Sequence, residues 1–131
     1  MQVLELAHLQ PRRRLSRPRI LVVEDEAMIA MMLEDMLEEM GCEVAGSFGD
    51  LNTAMSWVAG HDADFDAALL DVNLGGETVF PVADLLHEQG KPFGFVTSYT
   101  NVPQARGYDA EVLHKPVDQR DLKKLVETFR D

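Results

Sequence analysis

The sequence lacks the features of a secreted or membrane-spanning protein. It contains one cysteine, Cys42, so no internal disulfide can form and a reducing compartment is expected. No apolar run approaches the roughly 20 residues needed to cross a bilayer. The N-terminal arginines follow the first apolar residues, whereas in a secretory signal the positive charges come first. These absences predict a cytoplasmic protein in which Cys42 is buried.

Positive charge is also scarce. The chain has 12 lysines and arginines against 23 acidic residues, for a net charge of −11. Such a surface repels the phosphates of nucleic acid, so direct nucleic-acid binding is not expected. The charge is uneven, because residues 1–19 carry +4 and residues 20–131 carry −15. With 131 residues and 46% hydrophobic side chains, the chain can form one soluble domain.

The basic N-terminal residues 1–18 are interpreted as a tail outside the fold. They combine a short apolar segment, Val3–Leu9, with prolines and an arginine triplet. One interpretation is a disordered or loosely docked segment. The other is an amphipathic arm that contacts a partner or an anionic surface. The folded domain is predicted to occupy residues 19–131.

Strand and helix patterns alternate from Arg19 onward. Short apolar runs predict five strands, and apolar residues at helical spacing predict a helix over residues 27–40, a helix capped by Asp50 and a last helix that begins near Asp118. Residues 100–110 show no clear apolar stripe, so a helix there is expected to be short or mobile. The alternation predicts an α/β fold with a doubly wound parallel sheet of order 2-1-3-4-5, covered by helices on both faces.

Polar residues follow the predicted strands at the points where they end. The buried strand at residues 67–70 ends in Asp71, and the first strand runs into the acidic triplet Glu24-Asp25-Glu26. Two further strands end in Thr97-Ser98 and in Lys115. Because the carboxyl ends of parallel strands meet at one edge of a sheet, these groups are expected to converge. Several carboxylates, two hydroxyls and one ammonium together predict a phosphoryl site.

Clustered carboxylates also predict a metal ion. Their mutual repulsion is relieved by a cation or a proton, and Mg²⁺ prefers oxygen ligands. Asp25 and Asp71 are the candidate direct ligands, with Glu24 acting through a water and the backbone carbonyl of Asn73 supplying another oxygen. The alternative role for the acidic triplet is to stabilise a helix N-terminus, worth about 0.3–1 kcal/mol. Polar groups also stand at three further strand ends, those of Asp71, Thr97 and Lys115. This coincidence favours a metal and phosphoryl site over helix stabilisation as the role of the triplet.

A carboxylate can attack phosphorus to form an aspartyl phosphate. Transfer of a phosphoryl group depends mainly on positioning and on neutralising its oxygens. We therefore assign Asp71 as the nucleophile, Lys115 as the fixed cation and Thr97 as the hydroxyl that follows the phosphoryl group, with Ser98 as a second-choice donor.

These residues carry a resemblance to a known family. Four motifs in order resemble the receiver domain of two-component response regulators: Val22-Val23-Glu24-Asp25-Glu26, Leu69-Leu70-Asp71-Val72-Asn73-Leu74, Val96-Thr97-Ser98 and His114-Lys115-Pro116. The resemblance implies a flavodoxin-like fold and Mg²⁺-dependent transfer of a phosphoryl group to Asp71 from a histidine kinase or a phosphotransfer protein. It also implies a cis peptide bond before Pro116 and a downstream protein partner.

The sequence departs from the common receiver pattern at two positions. Glu24 stands where an aspartate is more usual, and Val112 stands where many receivers carry an aromatic switch residue. The stretch Pro92–Tyr99 is instead similar to the receiver subgroup named for its Phe-Ala-Thr-Gly-Tyr motif, with Val96 in place of the alanine and Ser98 in place of the glycine. That resemblance implies a kinase of the HWE type or a related family, often in general stress or light signalling. We hypothesise that Tyr99, together with the segment 100–110, replaces the missing aromatic switch. The alternative is that Tyr99 is an ordinary, partly buried aromatic residue of a loop.

A stand-alone receiver is expected, because the sequence contains no effector domain after the last predicted helix. It would act as a phosphoacceptor and not as an enzyme that turns over other substrates. Two alternatives remain open. A Mg²⁺-dependent phosphohydrolase would use Asp71 as a turnover nucleophile, although neither a general acid nor a substrate cap is visible. A receiver-like binding module would work without phosphate, although the intact acidic residues, Thr97 and Lys115 argue against it.

Six of the seven methionines lie between residues 28 and 55 and are expected to fill the core.

Overall fold

A computed structural model of the protein describes residues 15–99 and 107–131. Its elements in chain order are β1 (Arg19–Val23), α1 (Ala27–Glu39), β2 (Glu43–Phe48), α2 (Leu51–Gly60), a 3-10 turn (Asp62–Asp64), β3 (Ala67–Asp71), β4 (Asn73–Leu74), β5 (Glu77–Thr78), α3 (Phe80–Glu88), β6 (Phe93–Thr97), β7 (Val112–His114) and α4 (Gln119–Arg130). None of these helices is both long enough and apolar enough to cross a membrane.

Five strands form one parallel sheet in the order β2-β1-β3-β6-β7. This order confirms the predicted doubly wound, flavodoxin-like topology, with β1 and β3 adjacent at the centre. All five residues of β3 are buried, because helices cover the sheet on both faces. The apolar side chains of α2 and α3 pack on one face, and those of α1 and α4 pack on the other. Two apolar layers therefore hold the central strands, whose carboxyl ends share one edge.

Local signals set the helix boundaries as expected. The Asp50 carboxylate accepts a hydrogen bond from the Thr53 amide at 2.8 Å, and the Asp118 carboxylate accepts one from the Arg120 amide at 2.7 Å. These contacts satisfy backbone donors that have no partner inside the helix. Gly41 follows α1 with φ 84°, a conformation that glycine adopts without steric cost. Cys42 is buried, as predicted.

The loop after Asp71 forms a small hairpin that the sequence pattern did not predict. Asn73 pairs with Thr78 and Leu74 pairs with Glu77 in an antiparallel ribbon. Its two central residues, Gly75 and Gly76, have φ values of 63° and 96°. A two-residue type I′ turn requires positive φ at both positions, so the glycine pair closes this hairpin.

The expectation that the methionines fill the core is wrong for three of them. Met28 and Met31 are 84% and 63% exposed, and Met32 is 37% exposed. They lie on the side of α1 away from the residues that it buries against the sheet, Ala30, Leu33 and Leu37. Helical periodicity alone did not separate the two sides, because both carry apolar residues.

Part of the N-terminal segment contacts the fold. The Leu15 amide donates to the Arg130 carbonyl at 2.8 Å, and the Arg130 guanidinium donates to the carbonyls of Leu15 and Ser16. The Glu43 amide donates to the Pro18 carbonyl at 2.9 Å. Residues 1–14 of the predicted tail lie outside the described residues, as do residues 100–106 of the segment in which a short or mobile helix was expected.

Candidate functional site

The sheet brings four strand ends together at one edge. Asp71 is the last residue of β3, Glu24 directly follows β1 and Thr97 ends β6. These three are the polar or charged residues buried in the described part of the chain, at 5%, 3% and 1% exposure. Burial of two carboxylates is costly unless each is paired. The burial therefore makes this edge the candidate functional site.

Lys115 lies between the two buried carboxylates. Its Nζ is 2.8 Å from Glu24 Oε1 and 3.3 Å from Asp71 Oδ2. A third carboxylate, that of Glu26, lies 3.9 Å away. Lys115 follows β7, so one cation from the edge strand reaches both central strands. The peptide bond between Lys115 and Pro116 is cis, as the resemblance implied.

The electrostatics of the site favour a bound proton or cation. Burial, together with the neighbouring carboxylates of Glu24 and Asp25, raises the pKa of Asp71 to about 8. Burial opposes the charged form of Lys115, but the hydrogen bond to Glu24 and the charge of Asp71 outweigh it and raise the Lys115 pKa. The neighbouring carboxylates contribute to both raised pKa values. In a poorly solvated space, an excess of negative charge favours the neutral form of a carboxyl group and the charged form of an ammonium.

Asp25 lies at the exposed rim of this pocket. Its Oδ2 accepts a hydrogen bond from the Gly75 amide at 3.1 Å, which ties the acidic triplet to the hairpin after Asp71. Burial opposes ionisation of Asp25, but its interactions with the Asp71 and Glu24 side chains and the hydrogen bond from the Gly75 amide lower its pKa. The ionised carboxylate faces solvent, where an incoming cation can reach it.

The described residues fit a divalent cation. Glu24, Asp25 and Glu26 can each place one carboxylate oxygen within 4.8 Å of the others. Within the described residues, the buried Glu24 Oε1 makes no hydrogen bond of good geometry, although the Lys115 ammonium lies beside it. Glu26 stands at the N-cap of α1 without a side-chain capping bond, and its backbone amide donates to Glu24 Oε2 at 3.2 Å. An oxygen-rich cluster of this kind suits Mg²⁺.

Glu26 is a further candidate ligand that was not singled out from the sequence. The sequence feature that could have indicated this role is the position of Glu26 in the acidic triplet. Asp71 does not belong to the cluster of Glu24, Asp25 and Glu26. Its Oδ2 contacts Lys115, and its Oδ1 accepts a hydrogen bond from the Asn73 backbone amide at 3.3 Å.

Asn73, Tyr99 and Thr97 form a chain of contacts at the mouth of the pocket. The side-chain Nδ2 of Asn73 donates to the Tyr99 hydroxyl at 3.3 Å. The Tyr99 backbone amide donates to Thr97 Oγ1 at 3.0 Å. The Tyr99 ring is 54% exposed. Ser98, the second-choice donor, is exposed. The structure thus brings together the carboxylates and Lys115 directly, and connects Thr97 to the pocket through Tyr99 and Asn73.

Comparison with known proteins agrees with this geometry. The model of the response regulator receiver domain family matches residues 20–127. Among solved structures, the chain is similar to SdrG from Sphingomonas melonis Fr1, with 38% identity, a TM-score of 0.75 and coverage of 88% of this chain and 98% of that chain. The receiver domain of PhyR from Erythrobacter litoralis shares 24% identity at a TM-score of 0.75, covering 87% of this chain and 90% of that chain, a likeness of fold alone.

Curated relatives are longer than this chain. The transcriptional regulatory protein PdtaR from Mycobacterium tuberculosis is 30% identical over 114 residues, covering 83% of this chain and 55% of the relative. A hybrid signal transduction histidine kinase from Dictyostelium discoideum is 23% identical over 122 residues, 85% of this chain and 7% of the relative. The chain thus spans about half of the first and a small part of the second. The matched family model covers most of the sequence, and the chain belongs to the response regulator receiver domain family, whose members are phosphoacceptor signalling modules.

Proposed function

We propose that the protein accepts a phosphoryl group on Asp71 and that this modification changes its contact with another protein. The observation that carries the proposal is the position of Lys115 Nζ, 3.3 Å from Asp71 Oδ2 and 2.8 Å from Glu24 Oε1. A fixed ammonium beside a buried carboxylate at a sheet edge can neutralise the oxygens of a transferring phosphoryl group.

In the proposed reaction, an Asp71 oxygen attacks the phosphorus of a phosphohistidine. The bond between phosphorus and the imidazole nitrogen breaks as the bond to the Asp71 oxygen forms, and the imidazole leaves. Lys115 stays in place and pairs with a phosphoryl oxygen, and the Thr97 hydroxyl donates to another. Mg²⁺, held by Asp25, Asp71, Glu24, the Asn73 carbonyl and Glu26, would supply further neutralising charge. When the adduct hydrolyses, water attacks the phosphorus, the bond between phosphorus and the Asp71 oxygen breaks, and inorganic phosphate leaves.

The phosphodonor in this proposal is a histidine kinase or a phosphotransfer protein. The stretch Phe93–Thr97, followed by Ser98 and Tyr99, supports membership of the Phe-Ala-Thr-Gly-Tyr subgroup, and with it a kinase of the HWE type. The output is a protein contact or a relay step, and the net charge of −11 argues against direct nucleic-acid binding.

Tyr99 is the proposed switch residue. Its hydroxyl accepts from Asn73, two residues after Asp71, and its backbone amide donates to Thr97. If the Thr97 hydroxyl moves to a phosphoryl oxygen, the amide of Tyr99 loses its acceptor. The contact between the Tyr99 ring and the hairpin then changes, which alters a surface that a partner can bind.

The proposal is tested by incubating the purified protein with acetyl phosphate, with and without Mg²⁺, beside an Asp71→Asn control, and measuring intact mass. We expect one phosphoryl adduct that depends on Mg²⁺ and is absent from the control. No adduct and no response to beryllofluoride would favour a binding module that works without phosphate. Steady release of phosphate without an accumulating adduct would favour the phosphohydrolase.

A further inference from the structure

Tyr108 lies in the centre of an aromatic cluster. Its ring stacks on Phe80 of α3 with a centroid separation of 5.8 Å and an interplanar angle of 7°. It also meets Phe93 and Phe95 of β6 edge to face at 5.9 and 5.5 Å. Such aromatic pairs contribute beyond the area that they bury. One side chain therefore joins the segment before β7 to both α3 and β6.

The Tyr108 hydroxyl makes a contact that packing alone does not require. It donates to the Asp84 carboxylate of α3, although Asp84 is exposed. Burial of the ring, together with this bond and the charge of Asp84, raises the pKa of Tyr108 to about 12. The hydroxyl therefore keeps its proton and remains a donor to Asp84 across the physiological range.

The cluster lies on the face of β6 that also carries Thr97. Alternate residues of a strand share one face, so Phe93, Phe95 and Thr97 project to the same side of the sheet. Val112 pairs with Phe95 in the neighbouring strand. Val112 and Tyr108 both pack against the same cluster of buried apolar residues.

We propose that the Tyr108 hydroxyl and Asp84 form a latch that holds residues 107–112 against α3 in the unphosphorylated protein, and that this latch opens when Thr97 moves toward a phosphoryl group. The inference rests on the proposed function, because it requires Asp71 to be modified. An interaction present in only one of two arrangements shifts the population toward that arrangement. The latch thus opposes activation, and its loss favours the activated arrangement.

The test is a titration with beryllofluoride in excess Mg²⁺, followed by backbone amide shifts in NMR spectra. Tyr108→Phe keeps the ring contacts and removes the hydroxyl. We expect its half-saturating beryllofluoride concentration to fall about fivefold, the effect of one hydrogen bond of ordinary strength. Asp84→Ala removes the acceptor at an exposed helix position and is expected to act equally, with no further gain in the double variant. Asp109→Asn, a charge change beside Tyr108 in the sequence, is the control and is expected to match the wild type.

Amide hydrogen exchange without beryllofluoride gives a second measurement. Residues 108–112 are expected to exchange about fivefold faster in both latch variants. The latch is refuted, with the proposed function intact, if the wild type responds to beryllofluoride and Tyr108→Phe and Asp84→Ala respond at the same concentration. A wild type that does not respond at all overturns the proposed function, and the latch with it. If Tyr108→Phe does not fold, Asp84→Ala decides alone.

Discussion

The ammonium of Lys115 lies 2.8 Å from Oε1 of Glu24, so the residue after the last strand of the sheet is ion-paired with the residue after the first. Glu24 is 1% exposed at its side chain and Lys115 is 10% exposed. Lys115 also contacts Asp71, at 3.3 Å from its Oδ2. The contact connects the edge strand to the centre of the sheet.

Replacement of Lys115 by methionine is expected to destabilise the protein in the absence of divalent cations. The Glu24 and Asp71 carboxylates would remain buried without their partner, and breaking a buried pair costs about 3 kcal/mol. Urea denaturation measures this loss. Because Mg²⁺ would replace the missing positive charge, it is expected to raise the Tm of Lys115→Met more than that of the wild type. Lys124→Met, at an exposed position, is the control. Equal stability of the two variants would show that Lys115 does not stabilise the buried carboxylates.

The ion pair between Arg19 and Asp66 predicts an acid-dependent stability. The Asp66 carboxylate accepts from the Arg19 amide at 2.8 Å and from its guanidinium at 3.2 Å. Burial opposes ionisation, but these bonds prevail and lower the Asp66 pKa. A depressed pKa contributes stability above the ordinary value of 3.8 that is lost as the pH falls through the folded-state pKa.

Asp66→Asn is accordingly expected to lose about 1–3 kcal/mol at pH 7. The gap to the wild type is expected to begin narrowing below about pH 4, where the aspartate becomes protonated in the unfolded chain, and to close only below the lower folded-state pKa. Asp35→Asn at an exposed position of α1 serves as the control. A gap between wild type and Asp66→Asn that does not narrow with acid would refute this role of the pair.

Gly94 allows α4 to approach the sheet closely. A Cβ at position 94 would lie 2.5 Å from Cδ2 of Leu125, which is 4% exposed and has little room to move. Gly94→Ala is expected to cost about 1–3 kcal/mol through overpacking. In the double variant with Leu125→Ala, the total loss is expected to be smaller than the sum of the single losses. Gly60→Ala, which meets nothing within 4 Å, is the control; additive losses would show that this contact is not the cause.

The switch role of Tyr99 makes a separate prediction. Tyr99→Ala is expected to accept phosphate on Asp71, since the ring is not part of the acidic pocket. Its amide shifts at residues 98, 99 and 107–112 on phosphorylation are expected to be smaller than those of the wild type, because the contact with Asn73 is missing. NMR spectra with beryllofluoride measure this. If the variant rearranges these residues as the wild type does, Tyr99 is an ordinary loop residue.

The fold was predictable because its signals are local. The run of apolar residues before Asp71 predicts a strand buried on both faces, and Asp50 and Asp118 each cap the helix that they were expected to cap. Once the strands are placed, the rule that parallel strand ends share an edge brings Glu24, Asp71 and Lys115 together. The positions of most residues of the candidate site therefore follow from periodicity and strand order.

The rest depends on contacts between residues distant in the sequence. No pattern in the sequence indicated that the Gly75 amide donates to Asp25 or that the Tyr108 ring stacks on Phe80. The exposed methionines of α1 were misassigned, because hydrophobicity does not reveal which of two apolar helix sides faces the sheet. Such features follow from packing distances that only the folded chain provides.

The central claim is that Asp71 carries the phosphoryl group, and the most direct test is to locate the modified residue. Protein labelled with acetyl phosphate and Mg²⁺ is reduced with borohydride, which converts an aspartyl phosphate to homoserine, and the peptides are sequenced by tandem mass spectrometry. If Asp71 carries the phosphoryl group, homoserine is expected at position 71 alone. Homoserine at position 25, or a phosphoryl adduct without any reduced residue at 71, would contradict it.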